Sequence, residues 1–337
     1  MPKIIHIYTH MKSPIREKSI ILAPMEGITD ENYRLAVEKA YPEWSYYNTD
    51  FLRIPSQGIY GDEKIIKHFG HKVYKNEKLK NKTGFQVLAA SNSLIDEHIE
   101  KIKRLGFHHL DLNLGCPSKK VNGHRGGAYL LKDLEALTLI VKKIREVYPY
   151  FFSAKIRVGY EDDKNFKDII KILENEGVDQ ITIHGRTRLE LYEGRANWEY
   201  IKWAVKNTSI PITGNGDVWT VEDAINIFHE TDCHSIMLGR GAMKTPWLPS
   251  WFEKYKNKPQ QMIEEVMLQE RIENLTYFFH LLEKQYRESG IIDQKILKRF
   301  KALSRYCFED FPNFPILKSN FLRSATLKDF NRKLEAL

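Results

Sequence analysis

Apolar and polar positions alternate along the chain in eight short runs, each closing on a polar or glycine-bearing turn: SIILAPM, WSYYNTDF, TGFQVLA, HHLDLNLG, FSAKIRVG, QITIHGRT, IPITGNGD and HSIMLGRG. Their β-branched and aromatic content predicts strands. Between them the period changes. Over 91–105 the apolar Leu94, Ile95, Ile99, Ile102 and Leu105 share one helical stripe, and 133–147 opens at an acidic cap, Asp133. Strand and helix therefore alternate. Eight such units over about 240 residues predict an α/β fold of the (β/α)8 TIM-barrel type. A doubly wound sheet would use fewer strands and carry its glycine-rich turn after the first.

After Trp251 the strand signals stop, and helices are predicted over 260–289 and 293–308, with Pro312 and Pro315 interrupting before a final segment. This divides the chain into a barrel over 1–250 and a C-terminal helical domain over 251–337. Within the second helix Ile296, Phe300, Leu303 and Cys307 fall on one stripe, and Lys298, Lys301 and Arg305 on the opposite side. A basic face of that kind is either solvated or a set of phosphate contacts.

Composition adds limits rather than an answer. The 337 residues include 52 basic and 44 acidic side chains, a formal net charge of +8 that permits a polyanionic partner without demanding one. Three cysteines, Cys116, Cys233 and Cys307, are odd in number and lack metal-ligand spacing, so a reduced compartment and no metal site are expected. The N-terminus has no leader-like core, and no stretch approaches the roughly 20 apolar residues that span a bilayer. A soluble cytoplasmic protein is expected, without membrane association, with no protein partner implied, and monomeric.

Active sites of TIM barrels lie at the C-terminal ends of the strands, which is where the polar tails of the eight runs would converge. Cys116 directly follows one of them, LDLNLG, and is itself followed by the glycine-rich, basic loop PSKKVNGHRGGAYLL. A lone cysteine is commonly a small buried hydrophobe, but this position makes it a candidate for chemistry. Lys155 alternates with apolar residues in SAKIRV and should point into the barrel, where an ammonium needs an anionic partner: Glu26, Asp111, another barrel carboxylate, or a ligand. His184 is either a satisfied core histidine or a site residue at its strand end. TGNGD and MLGRG put glycines, Asn215 and Arg240 where the last two barrel loops commonly bind phosphate. A phosphate-bearing cofactor with Lys155 deeper in the barrel points to a flavin mononucleotide, whose reduced anionic ring the lysine would stabilise. No GxGxxG follows a strand, so no resident dinucleotide domain is expected.

The segments APMEGITD, LNLGCPSKKVNGHRGGAYLL, KIRVGY, HGRT, GNGD and GRGA, in this order, closely resemble the tRNA-dihydrouridine synthases. The resemblance implies an FMN enzyme that uses NADPH to reduce the C5=C6 bond of particular uridines in tRNA. It places Pro24, Met25 and Glu26 along the flavin, and Gln86 and Lys155 against its isoalloxazine ring. Asn113 resembles the family asparagine near the substrate base and flavin. His184, Asn215, Gly216, Asp217, Gly239 and Arg240 match the ribityl and phosphate contacts, and Cys116 the proton donor. A local departure is TGFQVLAAS around Gln86, where many members carry a leucine and a glycine.

The implied chemistry suits these residue types. Hydride reaching C6 leaves enolate-like charge toward C5 and O4, and a thiol with an ordinary pKa of about 8.5 is still protonated at neutral pH. The resemblance also implies that the helical domain grips the tRNA, with Lys298, Lys301 and Arg305 as candidate phosphate contacts. APMEG, FLRI and VNGHRGGAYLL look most like the bacterial subgroup that modifies uridine 16 of the D-loop. Two other readings stand beside this one. One is a flavin barrel acting on a free pyrimidine, against which the helical C-terminus argues. The other is an RNA-binding protein on a barrel without redox work, against which Cys116, Lys155 and the phosphate loops argue together.

Overall fold

The computed structural model describes residues 10–258 and 264–337. Among them nine strands form one sheet: β1 (Ser19–Leu22), β2 (Tyr47–Asn48), β3 (Leu52–Arg53), β4 (Thr83–Leu88), β5 (His109–Leu114), β6 (Phe151–Arg157), β7 (Gln180–His184), β8 (Ile212–Asn215) and β9 (Ser235–Leu238). The hydrogen-bonded order is β1-β9-β8-β7-β6-β5-β4-β2, with β3 also on β4. A parallel bridge between Ile21 and Tyr46 returns β2 to β1, and Leu22 N–H donates to Tyr46 O at 2.9 Å. The ring is therefore closed, and each of the eight sequence runs contains one barrel strand.

The second barrel strand is interrupted. Tyr47 pairs with Thr83 but Leu52 pairs with Val87, so one extra residue is accommodated on the β2–β3 side. Thr49 fills the break: its N–H donates to Gly84 O at 3.0 Å, and its hydroxyl accepts the Gln86 N–H at 2.9 Å. The backbone donor of Gln86, on the strand between, is thus satisfied by a side chain rather than a ladder carbonyl.

Period-two alternation divides each strand between two surfaces. In β5, Leu110, Leu112 and Leu114 share one face, and His109, Asp111 and Asn113 the other; all are buried. The apolar face is covered by helices such as Ile95–Arg104, which buries Ile95, Ile99 and Ile102, and Leu134–Val147, which buries Leu137, Ile140, Val141 and Ile144. The interior face is largely polar. Gln180 Nε2 donates to Thr213 Oγ1 at 2.6 Å, and Thr213 and Ser235 share a hydrogen bond of 2.8 Å. Ser13 Oγ caps this row on Gln180 Oε1 at 2.6 Å, and Ile15 joins Ile21, Ala23, Tyr46 and Met237 in an apolar plug.

Asp133 caps its helix as expected, accepting the Ala136 N–H at 3.1 Å. The helix expected from 91 starts at Ile95, because Ser93 is committed to a turn: its Oγ accepts the Ala90 N–H at 3.0 Å and donates to Ile54 O at 2.9 Å.

The chain clusters into two compact units. One comprises the described residues up to Pro24, with Ser45–Asp217 and Asn226–Met237; the other comprises Met25–Trp44, Val218–Ile225 and Leu238–Leu337. In the second unit the described part of the helix expected over 260–289 is Glu264–Glu288; positions 260–263 lie outside the described residues. It packs along Glu31–Ala40. The helix expected over 293–308 ends at Leu303, where Ser304 Oγ–H bonds back to Phe300 O at 2.8 Å, yet Cys307 and Phe308 stay buried in the turns that follow. Left-handed Asn313 (φ 55°) then precedes a helix, Phe314–Leu322, that carries Pro315 in its first turn, where the missing N–H costs nothing. Leu327–Leu334 completes the unit. Its core is aromatic: Phe279, Phe300, Phe321 and Phe330 meet with ring centroids 4.7–5.2 Å apart. Among the described residues no helix is long and apolar enough to cross a membrane.

Candidate active site

The polar interior of the barrel converges on the turn that follows β5. Asn113 Oδ1 accepts the N–H groups of Gly115 and Cys116 at 3.1 and 3.0 Å, so one side chain shapes the backbone on which Cys116 sits. Asn122 Nδ2 donates to Cys116 O at 3.0 Å and fixes the other side of the residue. Gly127 (φ +61°) leaves room here: a Cβ on it would lie 3.2 Å from Cys116 Cβ and 3.0 Å from Val121 Cγ1. The cysteine itself is half-buried, in contrast to Cys233 and Cys307, which are buried.

Behind the turn, Asn113 Nδ2 donates to Gln86 Oε1 at 2.8 Å and Gln86 Nε2 to Asp111 Oδ2 at 2.7 Å. Asp111 Oδ1 accepts from Ser153 Oγ, which also meets His109 Nε2 at 2.8 Å, and His109 Nδ1 meets Tyr46 OH at 3.0 Å. Register makes this chain possible, since Gln86, Asp111 and Ser153 are successive cross-strand partners. Burial pushes the Asp111 carboxyl up, against the hydrogen bonds of Ser153 and Gln86 and the charge of Lys155, all of which favour its ionised form.

Lys155 points inward as its alternation implies, but its hydrogen bond goes to an amide: Nζ donates to Asn215 Oδ1 at 3.1 Å. Asn215 is oriented for this by its own Nδ2, which donates to Met237 O at 2.7 Å. Burial, with the like charge of Arg157, pulls the Lys155 pKa down to about 8, while Asp111 opposes the shift. His184 ends β7, buried, with Nε2 at 3.3 Å from Arg186 Nη1. Gly216 (φ +119°) runs close beside it; a Cβ there would meet His184 Cδ2 at 3.0 Å and Ala196 Cβ at 2.6 Å. The Asp217 carboxylate is committed within the fold, accepting from Arg186 Nη2 and from the Ala196 N–H, each at 2.6 Å.

Two arginines belong to this region and were not singled out from the sequence. Arg157 is buried, and its Nε donates to Gly115 O at 3.1 Å while Nη1 reaches Thr187 O and Leu191 O at 2.7 and 2.8 Å. It thus ties the Cys116 turn to the loop after β7, and its guanidinium lies 5.5 Å from the centre of the Tyr192 ring. Arg186 holds the far end of that loop through Glu193 O and Gly194 O. The period-two spacing of Lys155 and Arg157 was the available signal: it puts both on the same face as Asp111. The loop they hold exposes Leu189, Leu191 and Tyr192.

Pro24 follows β1 in the first unit. In the second unit Met25, Glu26 and Gly27 (φ +75°) form a tight turn in which Thr29 Oγ1 accepts the Met25 N–H at 2.8 Å, and Glu26 is exposed. Gly239 precedes the short helix Arg240–Lys244, and the Arg240 guanidinium lies 4.9 Å from the centre of the Trp219 ring. Of the three basic residues in the C-terminal region, Lys298 and Arg305 are exposed and Lys301 is half-buried; Arg305 lies beyond the helix end.

A family model described as "Dihydrouridine synthase (Dus)" matches residues 21–313. A tRNA-dihydrouridine(16) synthase of Haemophilus influenzae is 31% identical over 296 residues, 82% of this chain and 94% of that protein. One of Neisseria meningitidis serogroup A is 34% identical over 253 residues, 72% of this chain and 74% of the relative. Among solved structures, a histamine dehydrogenase from Rhizobium sp. shares the fold over 74% of this chain at TM-score 0.53 and 11% identity. A 6-hydroxypseudooxynicotine amine oxidase from Pseudomonas geniculata does so at TM-score 0.52 and 12% identity. The chain spans about half the length of each of these two structures.

Proposed function

The chain belongs to the dihydrouridine synthase family, and from that premise we propose that it reduces the C5=C6 bond of uridine 16 in the D-loop of tRNA, with FMN as bound cofactor and NADPH as reductant. The observation that carries the reading is the convergence of Lys155, Gln86, Asn113 and the Cys116 turn at one end of the barrel.

The residues fit a flavin. Gln86 and Asn113 form a hydrogen-bonded amide pair, Lys155 uses one of its three ammonium donors on Asn215, and Gly216 supplies a backbone stretch with no Cβ in the way. When bound, the flavin supplies hydride to C6 of the base. Lys155, protonated below its lowered pKa of about 8, would offer positive charge to the ring. Gln86 would help hold the ring, and Asn113 would lie near both the ring and the base. The Cys116 thiol gives its proton to C5, and the thiolate left behind is reprotonated from solvent. Arg157, beside the Cys116 turn, is placed to favour the negative charge that builds on the base.

His184, Asn215, Gly216, the backbone of Asp217, Gly239 and Arg240 are assigned to the ribityl and phosphate tail, and Pro24, Met25 and Glu26 to the flavin flank. We assign catalysis to residues 1–250 and the grip on tRNA to 251–337, with Lys298, Lys301 and Arg305 on phosphates. Turning a stacked uridine out of a folded tRNA costs a few kcal/mol, which such backbone contacts would offset. The protein is assigned to the cytoplasm as a single copy.

The test is a visible spectrum of the FMN-loaded protein, reduced without oxygen and mixed with unmodified tRNA or with free uracil and orotate. Return of the oxidised flavin band with tRNA alone is expected. Return with the free bases would overturn the assignment of substrate, and absence of a flavin band after FMN is supplied would overturn the assignment of cofactor.

A further inference from the structure

The hydrogen bonds in the barrel interior have a direction, because both carboxyl oxygens of Asp111 accept, one from Gln86 Nε2 and the other from Ser153 Oγ. Asp111 Oδ2 takes the Gln86 Nε2–H, which turns Gln86 Oε1 toward Asn113 Nδ2. Asn113 Oδ1 is then the atom left for the N–H groups of Gly115 and Cys116. On the opposite side the Ser153 hydroxyl proton goes to Asp111 Oδ1, so His109 Nε2 donates to Ser153 Oγ and His109 Nδ1 accepts from Tyr46 OH. A neutral imidazole is required for that, in agreement with burial, which pulls the His109 pKa down to about 3. Donors from Tyr46 at one end and Cys116 N at the other thus all point toward Asp111.

We propose that Asp111 is a positioning residue for the reaction: as the shared acceptor it sets which edges Gln86 and Asn113 present and holds the turn that carries Cys116. The inference rests on the functional reading above, in which Gln86 helps hold the flavin ring and Cys116 supplies the proton. Asp111 is 1% exposed and acts only through its neighbours. A buried carboxyl group is a poor source of stability, since its apolar replacement can be neutral or stabilising. Direction is what a carboxylate adds here: an apolar side chain would leave both amides free to turn over.

The test compares wild type with Asp111→Leu and Asp111→Asn as FMN-loaded, full-length proteins. Leucine removes both acceptor oxygens, and asparagine keeps one, for which Gln86 and Ser153 compete. Three readouts are taken: alkylation of Cys116 by iodoacetamide without RNA, the position of the flavin band, and reoxidation of the reduced flavin by unmodified tRNA. Alkylation identifies Cys116 by peptide mapping, the other two cysteines being buried. For Asp111→Leu, alkylation should quicken severalfold, the flavin band should shift, and kcat should fall about ten- to hundred-fold with KM for tRNA unchanged. Asp111→Asn should lie between. Wild-type alkylation and kcat in a folded, flavin-bearing variant would overturn the proposal. If the leucine variant fails to fold, the asparagine variant decides on the same readouts. If wild type holds no flavin or ignores tRNA, the functional reading fails instead, and alkylation still decides whether Asp111 holds the Cys116 turn.

Discussion

Asn113 holds Cys116 by its backbone: the amide oxygen of the first accepts the N–H of the second at 3.0 Å, three residues apart. The turn that presents the thiol is thus held through backbone groups, which replacing the side chain leaves in place. Replacing Cys116 with alanine should leave the turn, flavin binding and tRNA binding intact while slowing turnover by about 10²–10⁴-fold, the usual contribution of a positioned acid. Single-turnover reoxidation of the reduced flavin by tRNA measures this, and an unchanged rate would remove Cys116 from the reaction.

Gly127 gives a second handle on the same turn. Its φ of +61° costs an L-residue about 1–2 kcal/mol. An added Cβ would also press on Val121 Cγ1 at 3.0 Å and on Cys116 Cβ at 3.2 Å. Gly127→Ala should therefore lower stability in urea by at least that cost and reduce turnover. A wild-type denaturation midpoint would mean that the loop relaxes freely.

For Lys155 the sign of the pH effect follows from its lowered pKa. The group titrates near about 8 in the folded protein, against about 10.5 ordinarily. Between those values the unfolded chain binds more protons, so the penalty of burying the charge is relieved and stability rises with pH. Below about 8 both states are protonated and the penalty is constant. Urea unfolding of flavin-free wild type and Lys155→Met from pH 7 to 10 should show wild type gaining on the variant as pH rises. Parallel profiles would contradict the burial of this charge.

Lys298, Lys301 and Arg305 are tested through salt. If each neutralises one phosphate, replacing all three with alanine should make the slope of log K against log salt shallower by about 2–3. Titrations of tRNA at several salt concentrations measure the slope, and an unaltered value would assign the three to a solvated face.

The aromatic core of the second unit is a separate matter of stability. Phe330 is fully buried against Phe279, Phe300 and Phe321. Phe330→Ala should cost about 3–5 kcal/mol in denaturant titrations. A loss below 1 kcal/mol would show that the cluster collapses around the gap.

Short-range features were legible wherever local pattern and tertiary burial agree. All eight strand runs became barrel strands, and Asp133 caps the helix that it was expected to cap. The stripe of Ile296, Phe300, Leu303 and Cys307 is buried as its period implied, even though the helix itself stops at Leu303. Local competition set the errors at the ends. Ser93 spends its hydroxyl on a turn before the helix Ile95–Arg104, and Ser304 bonds back to Phe300 where another ends. Lys155 is the inward cation in need of a partner that its alternation implies, but the partner in reach is the amide of Asn215, with Asp111 already held by Ser153 and Gln86.

By itself the sequence determined the alternation of strand and helix, the closed parallel architecture that eight such units favour, and the side of each strand on which its polar residues lie. Those depend on periods of two and 3.6 residues, which are properties of the local chain. Only the tertiary structure decided which polar groups meet. Gln86 and Asp111 are 25 residues apart, Asp111 and Ser153 are 42, and Lys155 and Asn215 are 60. Such pairs are set by cross-strand register and barrel closure, and the direction of each hydrogen bond is then set by which neighbour is an obligate acceptor. The same long-range geometry brought Arg157 to the carbonyl beside Cys116, a meeting that no spacing along the chain encodes.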